Sequence, residues 1–297
     1  MTRISAGSVS RGVAIREPTI ARVEQDLIDL ERSINTKKTY TQTLKRLHKH
    51  CGRPLDELGP EDVRDYLRML IRSPDHGFAT YSAFIAAARF CYTVTLSRHE
   101  VVAGLRCPRA PKKLPIVMSQ AEIRRCFSVQ MSHRDRALIM LAYGAGMRIS
   151  EVRHLQISDI DSEHGVIHIR NGKGRKQRIV MLAGVLLIQL RRAWSEQRPE
   201  GAWLFPGLYP HMPLTARQIR RVWADIQMRA GLRKHYRFHG LRGSFATHLL
   251  DDGTDLRTIQ VLLGHSHMSS TMRYVSVQAK HVSGVKSPLD TLVPHTA

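Results

Sequence analysis

Apolar residues recur at helical spacing through the first third of the chain, and this pattern predicts a series of helices. Pro60, followed by Glu61 and Asp62, predicts a helix start, and an apolar segment over residues 80–94 predicts a later helix. Two earlier stripes repeat every three or four residues: Ile20, Val23, Leu27 and Leu30, then Tyr40, Leu44 and Leu47. Residues 15–98 are therefore predicted to form an all-helical domain.

The pattern over residues 116–287 is mixed. It predicts an apolar helix at 135–143 and an amphipathic helix at 215–230. Between them, alternation predicts two strands at 165–170 and 178–182, joined by a glycine-flanked hairpin turn. The predicted fold class is therefore mainly α: a helical N-terminal domain, then an α+β domain with a small antiparallel sheet.

The net charge of the chain indicates which class of partner it binds. Its 297 residues include 46 Lys and Arg against 25 Asp and Glu, a formal net charge of +21. Such an excess favours a polyanion, because neutralising phosphates on a nucleic acid releases counterions. A ribosomal or membrane-surface protein is the alternative that composition alone leaves open.

Cysteine usage and hydropathy point to the cytoplasm. The four cysteines form no CxxC pair, which favours reduced thiols over a disulfide framework or a zinc site. No stretch approaches 18 consecutive apolar residues, so no membrane span is expected.

A basic, proline-containing segment separates the two predicted domains. Residues 99–115 hold Pro108, Pro111 and Pro115 together with several Arg and Lys side chains, and proline interrupts helices. The segment is predicted to be a linker, and either a plain linker or one that crosses a DNA backbone fits its composition.

Six polar residues beside predicted helix ends and turns are candidates for chemistry. Read singly, each is a cap, a surface charge or a half-buried aromatic. Read together they form a phosphoryl-transfer set, because two guanidiniums clamp a phosphate, histidine and lysine move protons, and tyrosine attacks. They are Arg148, Lys173, His239, Arg242, His265 and Tyr274.

The stretches around these residues resemble the tyrosine recombinase family, also called the phage integrase family. Four motifs carry the resemblance: GAGMRISEVRHLQISDID around Arg148, NGKGRKQRIVML around Lys173, FHGLRGSFATHLLDDG around His239 and Arg242, and LLGHSHMSSTMRYV from His265 to Tyr274. The first half is similar to the family's helical core-binding (SAM-like) domain through SINTKKTYTQTLKRL and PLDELGPEDVRDYL. The resemblance implies a core-binding domain at 15–98, a linker at 99–115 and a catalytic domain at 116–287, clamped around DNA.

The resemblance also implies a mechanism. Tyr274 would attack a DNA phosphate to give a 3′-phosphotyrosine and a free 5′-hydroxyl. Arg148 and Arg242 would hold the phosphate and His265 would donate a further hydrogen bond. Lys173 would protonate the leaving 5′-oxygen, with His239 as proton carrier. No metal, nucleotide or other cofactor is then required.

Neighbouring positions leave smaller questions open. Ser150 is a plausible cap of the helix after Arg148, and Glu151 either braces the site or is only a helix-start charge. Gly240 and Gly243 stand where the family often has an acidic residue and a histidine, and glycine weakens a helix by up to ~1 kcal/mol relative to alanine.

The implied partners are a specific double-stranded DNA site and a homo-tetramer, or a hetero-tetramer with a related recombinase, on two such sites. A mobile-element or dimer-resolution role is favoured over that of the larger phage integrases. Two alternatives remain: a type IB topoisomerase-like enzyme that relaxes DNA, and a catalytically silent DNA-binding accessory protein.

Overall fold

The computed structural model describes residues 17–108, 116–170, 177–264 and residue 271. Its residues divide into two compact units, Met1–Lys112 and Lys113–Ala297. The domain boundaries at residues 15–98, 99–115 and 116–287 stay predictions. Within the described ranges, no helix combines the length and apolar character needed to cross a bilayer.

The first unit is helical throughout its described part. A π-helical turn occupies Cys91–Thr95, and short 3₁₀ turns occupy Leu55–Glu57 and His99–Val101. The α-helices are α1 (Pro18–Asp29), α2 (Ile34–Cys51), α3 (Pro60–Arg72) and α4 (Phe78–Phe90).

The predicted apolar stripes form the core of this unit. Ile20, Val23 and Leu27 are buried, whereas Leu30 is half exposed because α1 ends at Asp29. The Glu17 carboxylate accepts the backbone N–H of Ile20 at 2.7 Å and that of Leu55 at 3.0 Å. It thereby caps α1 and links this helix to the 3₁₀ turn at Leu55–Glu57.

The second unit contains a small antiparallel sheet, as expected. Strand β2 pairs with both neighbours, in the order β1-β2-β3. The strands are β1 (Ile160–Asp161), β2 (Val166–Ile169) and β3 (Arg178–Met181). The helices are α5 (Gln120–Ser128), α6 (His133–Gly144), α7 (Ile149–Arg153), α8 (Gly184–Gln197), α9 (Ala216–Arg229), α10 (His239–Asp251) and α11 (Leu256–Leu263).

Helices α6, α8 and α9 bury their apolar faces in one core with the sheet. In α9, spacing predicts that Ile219, Val222, Trp223 and Ile226 point inward; Ile219, Trp223 and Ile226 are buried, and Val222 is partly buried against the same core. Helix α10 is buried along nearly its whole length. A buried α10 places Arg242 inside the unit, which sets up the site described next.

Candidate functional site

The structure describes three of the six predicted catalytic residues. Arg148 lies at the start of α7, and His239 and Arg242 lie in the first turn of α10. Lys173, His265 and Tyr274 lie outside the described residues, as does the predicted hairpin turn at 171–174.

A tight backbone turn connects the end of α6 to Arg148. Gly146 has φ +60°, and a Cβ there would lie 2.6 Å from the Phe245 ring. Only glycine adopts this backbone and fits this space without strain. The turn delivers Arg148 to the N-cap of α7, where its side chain is 18% exposed.

The cap of α7 differs from the sequence prediction. Ser150 is exposed inside the first turn, so its assignment as the cap was wrong. The capping side chain is Glu151, whose Oε2 accepts the Arg148 backbone N–H at 2.8 Å. Its Oε1 accepts Nη1 of the same arginine at 2.7 Å. Glu151 therefore fills both roles that the sequence left open, helix-start acid and brace of Arg148.

Arg242 is fully buried, with 1% of its side chain exposed. Its Nη1 donates to the Gly146 carbonyl at 2.6 Å, and its Nη2 donates to the Leu263 carbonyl. Nη1 also lies 3.9 Å from Oε2 of Glu151. Arg148 Nη2 reaches the same Leu263 carbonyl at 3.3 Å. The structure thus brings Arg148 and Arg242 together around one carboxylate and one carbonyl.

His239 is the first residue of α10, one turn before Arg242. Its side chain is exposed whereas that of Arg242 is buried. The predicted pair therefore shares a helix turn but differs in solvent access, which suits a proton carrier better than a fixed clamp.

A third arginine, which the sequence pattern did not single out, completes the cluster. Arg178 begins β3, and its side chain is 8% exposed. Its Nη1 and Nη2 donate to Oε1 and Oε2 of Glu151 at 2.7 and 2.8 Å, a bidentate pair. Its Nε donates to the Leu262 carbonyl at 2.9 Å. The signal for this contact is spatial, because 27 residues separate the two side chains in sequence.

Glu151 is held ionised by these contacts. Burial, with 2% of the side chain exposed, would raise the pKa of its carboxyl, but the hydrogen bonds and charge of Arg178 and the hydrogen bonds from Arg148 lower it to about 2. Burial without such arginine partners would instead favour the neutral form of the carboxyl. Glu151 therefore carries a full negative charge at neutral pH.

The three guanidiniums also converge on the end of α11. Arg178 donates to the Leu262 carbonyl, and both Arg148 and Arg242 donate to the Leu263 carbonyl. Arg148 also donates to the Gly264 carbonyl. The last carbonyls of a helix lack partners within the helix and mark the negative end of its dipole. Arginines are suited to this end, and the next residue in the chain is His265.

The net charge of the cluster suits it to bind an anion. Arg148, Arg178 and Arg242 bring three positive charges and Glu151 one negative charge, so these four side chains carry a net +2. An unbalanced positive cluster at low exposure attracts an anion, and paired guanidiniums match the oxygens of a phosphate. Among the described ranges, no group of three or more His, Cys, Asp or Glu side chains is arranged to hold a metal ion.

Two known protein families match the sequence of this chain. The sequence profile of the phage integrase family matches residues 117–281, and that of the phage integrase N-terminal SAM-like domain matches residues 20–100. The chain belongs to the phage integrase family of tyrosine recombinases. It is a tyrosine-type site-specific recombinase, and the mainly α fold with a small antiparallel sheet is confirmed.

The relatives of this phage integrase family member align over most of their length. A putative integrase/recombinase of Sinorhizobium fredii is 36% identical over 279 residues, which cover 94% of this chain and 90% of the relative. The tyrosine recombinase XerA of Pyrococcus furiosus is 32% identical over 261 residues, 86% of this chain and 88% of the relative. The crystal structure of the XerH site-specific recombinase bound to a palindromic difH substrate, a post-cleavage complex, shares the fold with a TM-score of 0.71 at 22% identity, covering 88% of this chain and 83% of that chain.

Proposed function

We propose that this recombinase breaks and rejoins double-stranded DNA at a specific site through a 3′-phosphotyrosine formed by Tyr274. The observation that carries the proposal is the net +2 cluster of Arg148, Arg178, Arg242 and Glu151. Two solved structures with the same fold support it, since XerH and lambda integrase are each bound to a DNA site in them.

The proposed reaction balances without another reactant. The Tyr274 hydroxyl attacks phosphorus and loses its proton to His239, a P–O bond to Tyr274 forms, and the bond to the 5′-oxygen breaks. Lys173 protonates that leaving oxygen. Arg148 and Arg242, with His265, bind the non-bridging oxygens as negative charge builds on them. Attack by another strand's 5′-hydroxyl reverses these steps and releases Tyr274.

The same chemistry indicates why neither a metal nor ATP takes part in the proposed route. The guanidiniums supply the positive charge that a metal would otherwise bring. The phosphotyrosine conserves the energy of the broken diester, so resealing requires no nucleotide. We further propose that four copies act on two DNA sites.

Covalent capture tests this proposal. Full-length protein is incubated with a pool of random-sequence duplexes that carry random single-strand nicks, and protein that remains bound to DNA in denaturing detergent is recovered. We expect an adduct whose DNA is attached at Tyr274 and converges on one sequence. The variant Tyr274→Phe is expected to form no adduct while binding the recovered sequence with nearly unchanged affinity, because only the nucleophilic oxygen is lost.

The alternatives are distinct outcomes of this experiment. Rapid relaxation of a supercoiled plasmid that lacks the recovered sequence would favour a type IB topoisomerase-like enzyme. Absence of any adduct, with equal DNA binding by the wild type and Tyr274→Phe, would favour a catalytically silent accessory protein. Either result would overturn the recombinase mechanism proposed here.

A further inference from the structure

We propose that Arg178 is a positioning residue for the Arg148 and Arg242 pair. It neutralises Glu151 and fixes the end of α11, so that the other two guanidiniums keep their charge and alignment for the DNA phosphate. This inference rests on the function proposed above, and it assigns a role to a residue outside the six predicted from the sequence.

The hydrogen bonds of Arg178 distinguish it from a third phosphate ligand. Each of its three side-chain nitrogens donates to a protein acceptor: Nη1 and Nη2 to Glu151, and Nε to the Leu262 carbonyl. The Nη atoms of Arg242, by contrast, donate to the neutral carbonyls of Gly146 and Leu263, and its Nη1 lies 3.9 Å from Glu151. Arg178 is therefore committed to the protein and acts through the groups that it holds.

The first of these groups is the Glu151 carboxylate. Arg178 bonds to both of its oxygens, whereas the Arg148 guanidinium bonds to one and that of Arg242 lies 3.9 Å away. Without Arg178, the negative charge of Glu151 would fall on Arg148 and Arg242 alone. The net charge of the cluster would drop from +2 to +1, and the Arg148 side chain would be drawn further toward Glu151.

The second group is the C-terminal end of α11. Arg178 holds the Leu262 carbonyl, and Arg148 and Arg242 share the adjacent Leu263 carbonyl. Gly264, with φ +59°, packs so closely that a Cβ on it would lie 2.8 Å from Cδ of Arg178. One side chain thus fixes both partners that orient Arg148, the carboxylate and the helix end.

Three variants separate charge from geometry. Arg178→Met removes both. Arg178→Lys keeps the charge but replaces the planar fork that bridges two oxygens with a single ammonium group. The double variant Arg178→Met with Glu151→Gln removes the ion pair as a unit and keeps the wild-type net charge of +2 among the remaining arginines.

The measured quantity is the rate of covalent adduct formation at saturating DNA, using the nicked duplex recovered with the wild type. We expect Arg178→Met to lower this rate by about 10- to 100-fold, the range seen when outer hydrogen-bonding partners of metal ligands are removed. DNA affinity should fall by a smaller factor, because the clamp matters most at the pentacoordinate state. Arg178→Lys should recover part of the rate.

The double variant tests action through Glu151. We expect it to react about 5- to 30-fold faster than Arg178→Met alone, which corresponds to about 1–2 kcal/mol in activation free energy. Arg136→Met is a matched control, because Arg136 also donates to backbone carbonyls, those of Phe127 and Val129. It should lower the free energy of unfolding without changing the adduct rate.

The outcomes distinguish this inference from the proposed function. If the wild type forms no adduct, the recombinase mechanism fails, and the role of Arg178 fails with it. If the wild type reacts and Arg178→Met reacts equally fast, only the role of Arg178 is wrong. If the double variant is as slow as Arg178→Met, or Arg136→Met is equally slow, Arg178 is merely structural and the inference is overturned.

Discussion

The lowered pKa of Glu151 predicts how much this carboxylate contributes to the free energy of unfolding. In the folded protein its pKa lies at about 2 against an ordinary value of 4.5, and each pKa unit corresponds to about 1.4 kcal/mol. Ionised Glu151 therefore contributes about 3 kcal/mol to the free energy of unfolding, consistent with the cost of about 3–5 kcal/mol for removing one partner of a buried ion pair.

The sign of the pH dependence follows from the direction of the shift. Because the pKa of Glu151 is lower in the folded state, its contribution is fully present above about pH 4.5. It is lost as the pH falls through that value to about 2. Protonated glutamic acid and glutamine are close in shape and both neutral. The wild type and Glu151→Gln should therefore differ by about 3 kcal/mol at neutral pH and converge near pH 2.

Tryptophan fluorescence during urea unfolding measures this difference in the right part of the chain. All three tryptophans, Trp194, Trp203 and Trp223, lie in the second unit, so unfolding of the first unit does not obscure the signal. Comparing two proteins cancels the titration of the carboxyls that they share. Glu196→Gln on the exposed face of α8 is the control and should show a small difference at every pH.

A difference that stays constant down to pH 2 would refute the reasoning, because it would mean that the charge of Glu151 contributes nothing. A difference that is already lost at pH 4.5 would also refute it, because the folded-state pKa of Glu151 could then not lie at about 2.

Three further variants test the site and its supports. Arg148→Ala should lower the adduct rate more than DNA affinity, and a large, salt-insensitive loss of affinity with normal cleavage would contradict its assignment to the clamp. Gly264→Ala should lower the free energy of unfolding by more than about 1 kcal/mol, measured by urea unfolding, because φ is +59° and the new Cβ would lie 2.8 Å from Arg178. Gly240→Ala should raise it by about 0.4–1 kcal/mol in the same assay, since the nearest atom, Cβ of Tyr236, lies at an ordinary 3.7 Å; a loss of stability would show that this glycine is required.

Sequence periodicity predicts elements best where one face is apolar and the other polar. Helix α9 meets this condition and was predicted almost to its ends. Helix α8 was not predicted, because Leu186 and Leu190 are buried while Val185 and Ile188 are exposed on its other side. Apolar residues on both sides of a helix erase the period from which its face is recognised.

In the site, the sequence predicts residues that lie in recognisable local motifs, but not contacts between residues far apart in the chain. Arg148 and Arg242 were identified because their motifs lie beside recognisable helix ends. Arg178 was not, since nothing next to it in the sequence indicates that α7 will bring Glu151 within 2.7 Å. An alternating strand pattern states which residues face inward, but it does not identify the buried partner of a charged side chain.

The balance of charge around Glu151 bears on how such a site favours reaction over binding. A phosphodiester carries one negative charge, and the pentacoordinate state formed by phenolate attack carries two. One carboxylate among three guanidiniums leaves a net +2, which the bound substrate balances by half and the pentacoordinate state balances fully. A second carboxylate would suit the ground state better, and none at all would leave three buried charges without a counterion. In the proposed mechanism, the single Glu151, held by Arg178, therefore sets the electrostatics of the cluster for the state of highest charge, which is where stabilisation increases the rate.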